Sequence, residues 1–191
     1  MNNLKDYHKK NFDEVNERLG ITPTENLLKS STDDVFAKKD VIVFGSDKAT
    51  CDFVGKVVPV ASIAELKRLS GVPADADDSH VEYPEKTAGQ LKTADSSDSQ
   101  REDIAKAASS YILGNPDKVK HYEDVINSSL FPGKAVLFSV KDLLIKTGQT
   151  VILGQSGEPE IYNFGSITIQ QGGELSIVGN VQLTCQVFTQ L

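Results

Sequence analysis

The sequence predicts an α+β protein. Residues 1–129 read as a mainly helical region with a short strand pair near 40–60 and a polar loop at 73–99, and residues 130–191 as a β-rich domain, either a sandwich or a short β-solenoid. Three observations predict this. Apolar residues recur at helical spacing between recognisable caps in the first part. Charge then thins out: after Leu130 the charged residues are Lys134, Lys141, Asp142, Lys146, Glu158, Glu160 and Glu174, far sparser than the 25 % of the whole chain. Finally, a glycine-centred apolar pattern recurs from Leu130 onward.

The first helix rests on Leu4, Tyr7, Phe12, Val15 and Leu19, with Gly20 as its stop. Thr22-Pro23-Thr24-Glu25 offers a second short helix start, running through Leu27 and Leu28. Asp40 to Gly45 is an apolar run closed by the turn signal Gly45-Ser46-Asp47-Lys48. Cys51 to Val54 and Lys56 to Val60 follow, and together these read as strands joined by a turn, a hairpin. Ser62 and Glu65 have capping-box spacing, opening a helix through Leu66 and Leu69 that stops at Gly71.

The stretch from Pro73 to Ser99 holds Asp75-Ala76-Asp77-Asp78-Ser79-His80 and Ala94-Asp95-Ser96-Ser97-Asp98-Ser99. It has too few large apolar residues to order itself unless a neighbour or an ion holds it. Ser99 and Glu102 repeat the capping-box spacing ahead of Ile104, Ala107, Ala108, Tyr111 and Ile112. Gly114-Asn115 ends that helix. Pro116 is well placed to open another, carrying Val119, Tyr122, Val125 and Ile126.

In the last third the pattern is apolar, two residues, Gly, two residues, apolar, one residue, apolar. It fits Leu130 to Phe138, Ile145 to Leu153 and Ile169 to Ile177, and the step from Gly133 to Gly148 is shorter than that from Gly148 to Gly172. A hairpin sandwich would place the glycines in tight reversals, Gly172-Gly173 suiting a primed turn. A solenoid would place them at corners between faces, and the unequal offsets weigh against a regular one. Alternation sends Ile167, Ile169, Leu175, Ile177, Val181, Leu183, Cys185 and Val187 one way, and Thr168, Gln170, Ser176, Gln182, Thr184 and Gln186 the other. The second set makes a weakly charged Thr/Ser/Gln face, and the run from Thr184 to Leu191 lacks the Lys and Pro that protect edge strands. Thr168, Gln170, Gln182, Thr184, Gln186 and Phe188 are therefore the expected interface.

A formal charge of −7 argues against neutralising nucleic-acid phosphates or binding anionic lipid. The opening residues carry no apolar signal core and no stretch reaches the ~18 apolar residues of a membrane span. The expected compartment is the cytoplasm, with signal-independent export as the alternative. Cys51 and Cys185 are far apart in sequence and are expected as buried thiols. His8 and His121 flank lysines and read as solvated helix residues, and no HExxH, CxxC, GxSxG or Walker-type motif occurs.

Asp75, Asp77, Asp78 and His80 form the one ligand-like cluster. Asp75, Asp77 and Ser79 match alternate calcium-loop positions, but His80 stands where the turn glycine belongs and Lys86 where the bidentate Glu belongs. Asp33-Asp34 and Glu158-Pro159-Glu160 are candidate carboxylate pairs, without a Trp to stack a sugar. These residues favour a non-catalytic structural protein that self-assembles through its C-terminal β domain, with itself or another protein as partner and no cofactor. The alternatives are a carbohydrate- or polar-ligand-binding module assisted by calcium, and a carboxylate hydrolase.

Overall fold

The computed structural model describes residues 4–25, 27–29, 34–75, 77–85 and 98–191. It is 33 % helix and 34 % strand, its helices are short and scattered, and its sheets are parallel. The expected helical first two-thirds is thus overturned. A short apolar run has the same periodicity in a helix and in a buried strand, and Leu27–Lys29, expected to continue a helix, is a strand. At Thr22 the capping signal serves a turn instead of a helix. Thr22 N and Oγ1 both donate to Glu25 Oε2 at 2.9 Å, Glu25 N donates to Thr22 O at 3.0 Å, and the chain then extends as β1 (Leu27–Lys29).

The chain divides into two compact units, one from residues 1–58 and 134–191, the other from residues 59–133. In the first, α1 (Asp6–Leu19) ends at Gly20 as its spacing predicts, and α2 (Asp34–Lys38) follows β1. β2 (Val41–Gly45) and β3 (Phe53–Val54) pair in parallel, so the expected hairpin does not form. The connection wraps on Asp47, whose carbonyl accepts Cys51 N at 2.9 Å, and Asp52 Oδ2 accepts Val43 N at 3.0 Å. The next strand therefore runs in the same direction as the last. β4 (Lys56–Val60) follows.

The rest of this unit is a short stack of parallel coils. β5 (Gly133–Ile145), β7 (Glu160–Ile169) and β9 (Val181–Gln190) lie side by side in one sheet, with β1 and β4 on the other side of β5. β6 (Thr150–Leu153) and β8 (Glu174–Ile177) continue a second sheet in the order β3-β2-β6-β8. Val136 sits beside Glu160 and Glu160 beside Val181, each one coil further along the chain. The sandwich expectation is overturned by this parallel pairing. Alternation of side chains is the same in parallel and antiparallel strands, so the pattern alone could not separate them.

The repeated glycines are corner residues. Gly148 (φ +80°) and Gly172 (φ +78°) occupy the same corner of successive coils. Each is the third residue of a turn closed by a hydrogen bond, Gln149 N to Lys146 O at 3.0 Å and Gly173 N to Gln170 O at 2.8 Å, a geometry that requires positive φ there. Gly133 instead begins β5, so the shorter step from Gly133 to Gly148 joins two different places within a coil.

The core runs up the inside of the stack in columns. Phe138, Tyr162 and Leu183 are in register, as are Val140, Phe164 and Cys185. The Phe138 and Tyr162 rings stack at 4.5 Å. Beyond these the parity shifts by one residue, and Leu143, Ile167 and Phe188 form the next column. α1 lies against β7 and β9. Asn163 is fully buried and its Nδ2 donates to Phe12 O and Asn16 Oδ1, both at 2.8 Å.

The second unit is helical: α3 (Ile63–Ser70), α4 (Asp98–Leu113), α5 (Pro116–Val119), a 3₁₀ turn (Lys120–Tyr122) and α6 (Glu123–Leu130). Ser62 Oγ accepts Glu65 N at 3.2 Å, and the Glu65 carboxylate reaches back to Ala61 N at 2.7 Å. The side chains of Ser99 and Gln100, in the second predicted capping box, lie outside the described residues. Asn115 caps α5 by accepting Asp117 N at 2.9 Å, and Pro116 takes the first helical position. The single helix expected from Pro116 to Ile126 is interrupted by the 3₁₀ turn. Lys67 is buried and donates to Ile112 O at 2.7 Å and Gly114 O at 2.9 Å, a cation placed on the orphan carbonyls at the end of α4. Among the described residues no helix is long and apolar enough to cross a membrane.

Candidate functional site

The last coil, β8 and β9, is the candidate. Between residues 174 and 191, Glu174 is the one charged side chain. Core positions of this coil have counterparts one coil earlier. Leu153 is 0 % exposed and its neighbour Ile177 is 54 % exposed; Ile167 is 1 % exposed and its neighbour Phe188 is 58 % exposed. The side chains are of one kind and sit in one column. What differs is coverage: β6 and β7 have a strand on each side, and among the described residues β8 and β9 have one on one side only.

Val178 and Leu191 are exposed beside them, while Leu175, Val181, Leu183 and Cys185 are partly buried against the core. Among the described residues no strand pairs with the outer side of β8 or β9. Strand backbone donors and acceptors therefore face outward along an apolar, nearly uncharged rim. The two cysteines are free thiols. Burial pushes the Cys185 thiol above its ordinary value, and its Sγ donates to Val187 O at 3.2 Å, so this sulfur is a neutral packing group.

The six residues expected to form one interface are divided by the fold. Thr184 lies beside Asn163, on the side where α1 packs, and Gln182 lies beside Ile161. Gln186 falls at the corner where parity shifts, and Thr168 lies beyond it, next to Leu144. Gln170 is in the turn after β7, its N donating to Ile145 O at 2.9 Å. Phe188 belongs to the core column of Leu143 and Ile167, and Val187 is beside Ser166 on the outside, the reverse of simple alternation. A corner costs one residue of phase, and no sequence period reveals it.

The acidic cluster is engaged by protein groups. Asp77 Oδ1 accepts Ser79 N at 3.0 Å. Asp78 accepts the Tyr83 hydroxyl and the Lys118 ammonium, the latter at 2.6 Å, and Lys118 also lies 5.2 Å from the Tyr83 ring. Lys118 and Tyr83 hold the Asp78 carboxyl below the usual range. The Tyr83 hydroxyl in turn accepts Asn115 N at 3.1 Å, tying the described part of the loop to the start of α5. Asp75 and His80 are exposed. Among the described residues no group of three or more His, Cys, Asp or Glu is arranged to hold a metal ion. Residues 86–97, including Lys86 and most of the second acidic run, lie outside the described residues, as does Asp33.

Of the other carboxylates, Glu160 is fully buried and accepts Gly154 N at 3.0 Å, Ser156 N at 2.9 Å and the Tyr162 hydroxyl, while Glu158 is exposed. Glu160 thus shapes the corner from Gly154 to Ser156, and burial pushes the Tyr162 hydroxyl far above its ordinary value. Sequence reasoning missed this pair. Its signal was present in the spacing, since Glu160 and Tyr162 are two apart in a strand and share a face. Comparison with protein-family models, with curated proteins and with solved structures finds no match to this chain.

Proposed function

We propose that this protein is a non-catalytic assembly protein whose copies associate through the last coil of the β stack. The observation that carries the reading is the loss of burial between matched core positions, from Leu153 to Ile177 and from Ile167 to Phe188. Exposed apolar side chains grouped on one rim are a recurrent mark of a protein contact. Two further features support it. Unpaired strand edges recruit another chain through main-chain hydrogen bonds. The rim also carries one charged side chain in a protein of net charge −7, so it is the place where two copies meet with least like-charge repulsion.

Sedimentation velocity of the whole chain over a wide concentration range tests this. The expected result is a species heavier than the monomer that dissociates on dilution. Ile177→Asp/Phe188→Asp should shift it to monomer with an unchanged far-ultraviolet spectrum, since both side chains are more than half exposed and their loss removes little core. A wild-type chain that stays monomeric at the highest concentration overturns the reading.

A further inference from the structure

Resting on that reading, we infer that the contact is isologous: two copies meet rim to rim across a two-fold axis, and the assembly closes at a dimer instead of growing into a filament. The inference comes from comparing the two edges of the coil stack. At the open edge, β9 offers ten residues that turn a corner at Gln186 and β8 four, nearly uncharged and rimmed by exposed Ile177, Val178 and Phe188. The opposite edge is a poor template. There β1 has three residues and includes Lys29, and β3 has two.

The core at that opposite edge is already covered. Phe36 of α2 is buried and stacks on Phe53 at 5.5 Å, and Gln149 Nε2 fastens α2 by donating to Phe36 O at 2.7 Å and Lys39 O at 2.9 Å. Head-to-tail growth would require the open rim of one copy to dock on this short, helix-covered edge of the next. The opposite edge exposes Leu27 and Val41 as well, but the surface that matches the open rim in strand length and lack of charge is the same rim on a second copy. A patch that complements itself gives a closed two-fold contact. Across that axis the facing strands run antiparallel, although the coil strands β5, β7 and β9 pair in parallel, and antiparallel strands exchange main-chain hydrogen bonds at least as well.

The test is a mixing experiment with native mass spectrometry and sedimentation on the whole chain. Wild-type protein should reach a plateau at two copies and stay there as concentration rises. Affinity-tagged Ile177→Asp/Phe188→Asp should bind wild-type protein roughly tenfold or more weakly than wild type binds itself, because a two-fold contact uses the rim of both partners. If the contact were head-to-tail, this variant would keep an intact far edge and pair with the wild-type rim at full strength. Full-strength pairing, or growth beyond two copies, overturns the isologous inference and leaves association through the rim standing. A wild-type monomer at all concentrations overturns both. Phe188→Ser, which removes the exposed ring without adding charge, should weaken the dimer in the same direction, and an unchanged dimer in that variant also counts against the two-fold rim contact.

Discussion

Asp78 is one of several acids in a polar loop, and it meets both Lys118 and Tyr83. Its carboxyl is held below its ordinary value by the ammonium first and the hydroxyl second. In the unfolded chain the group titrates at about 3.9. Because the folded value is lower, the contribution is complete above the unfolded value and is lost as pH falls through the folded one. Melting temperatures of wild type and Asp78→Asn should therefore differ by a constant amount from about pH 5 upward and converge as pH drops below about 4. A difference that persists undiminished in acid would show that the ion pair is not its source. Glu160 tests a different principle. Its two oxygens take only donors, from Gly154 N, Ser156 N and Tyr162. Glu160→Gln turns an amide NH₂ toward one of them, leaving buried donors facing each other, and should cost about 2–3 kcal/mol in urea denaturation.

At the scale of elements, the coil corners govern the fold. At Gly165 an added Cβ would lie 2.5 Å from Lys141 O and 3.0 Å from Leu4 Cδ1. The backbone oxygen has nowhere to go, so Gly165→Ala should cost about 1–3 kcal/mol through overpacking. Gly148→Ala meets open space but keeps a φ of +80°, and should cost about 1–2 kcal/mol for the left-handed backbone alone. Measured denaturation midpoints of the two variants separate steric from conformational cost. These corners also mark what the sequence could and could not disclose. Local signals were legible: Gly20 after α1, Ser62 with Glu65, and Asn115-Pro116 each do what their chemistry predicts. Strand direction was not, because Phe138, Tyr162 and Leu183 alternate identically whether their strands run parallel or antiparallel. The phase slip beside Gly165 then moved Phe188 from the expected polar face into a core column, so the candidate rim had to be found from burial and not from spacing.

The chain as a whole carries a formal charge of −7, and its proposed contact surface carries almost none. This separation makes a prediction about salt that distinguishes a neutral rim from an interface built on ion pairs. When two copies approach, the long-range term is repulsion between two acidic bodies, and it acts over the Debye length, roughly 30 Å at 0.01 M salt and 8 Å at 0.15 M. The short-range term is burial of Ile177, Val178 and Phe188 with main-chain pairing along β9, which salt does not screen. Raising salt from 0.01 M to 0.15 M should therefore strengthen association, on the order of tenfold, mainly by removing repulsion. Between 0.15 M and 0.5 M chloride the affinity should be nearly flat, because little repulsion is left to screen. An interface held by charge pairs would weaken steadily over the same range. Sedimentation equilibrium at three salt concentrations reads the sign directly, and a monotonic loss of affinity would move the contact away from the last coil to a charged part of the surface.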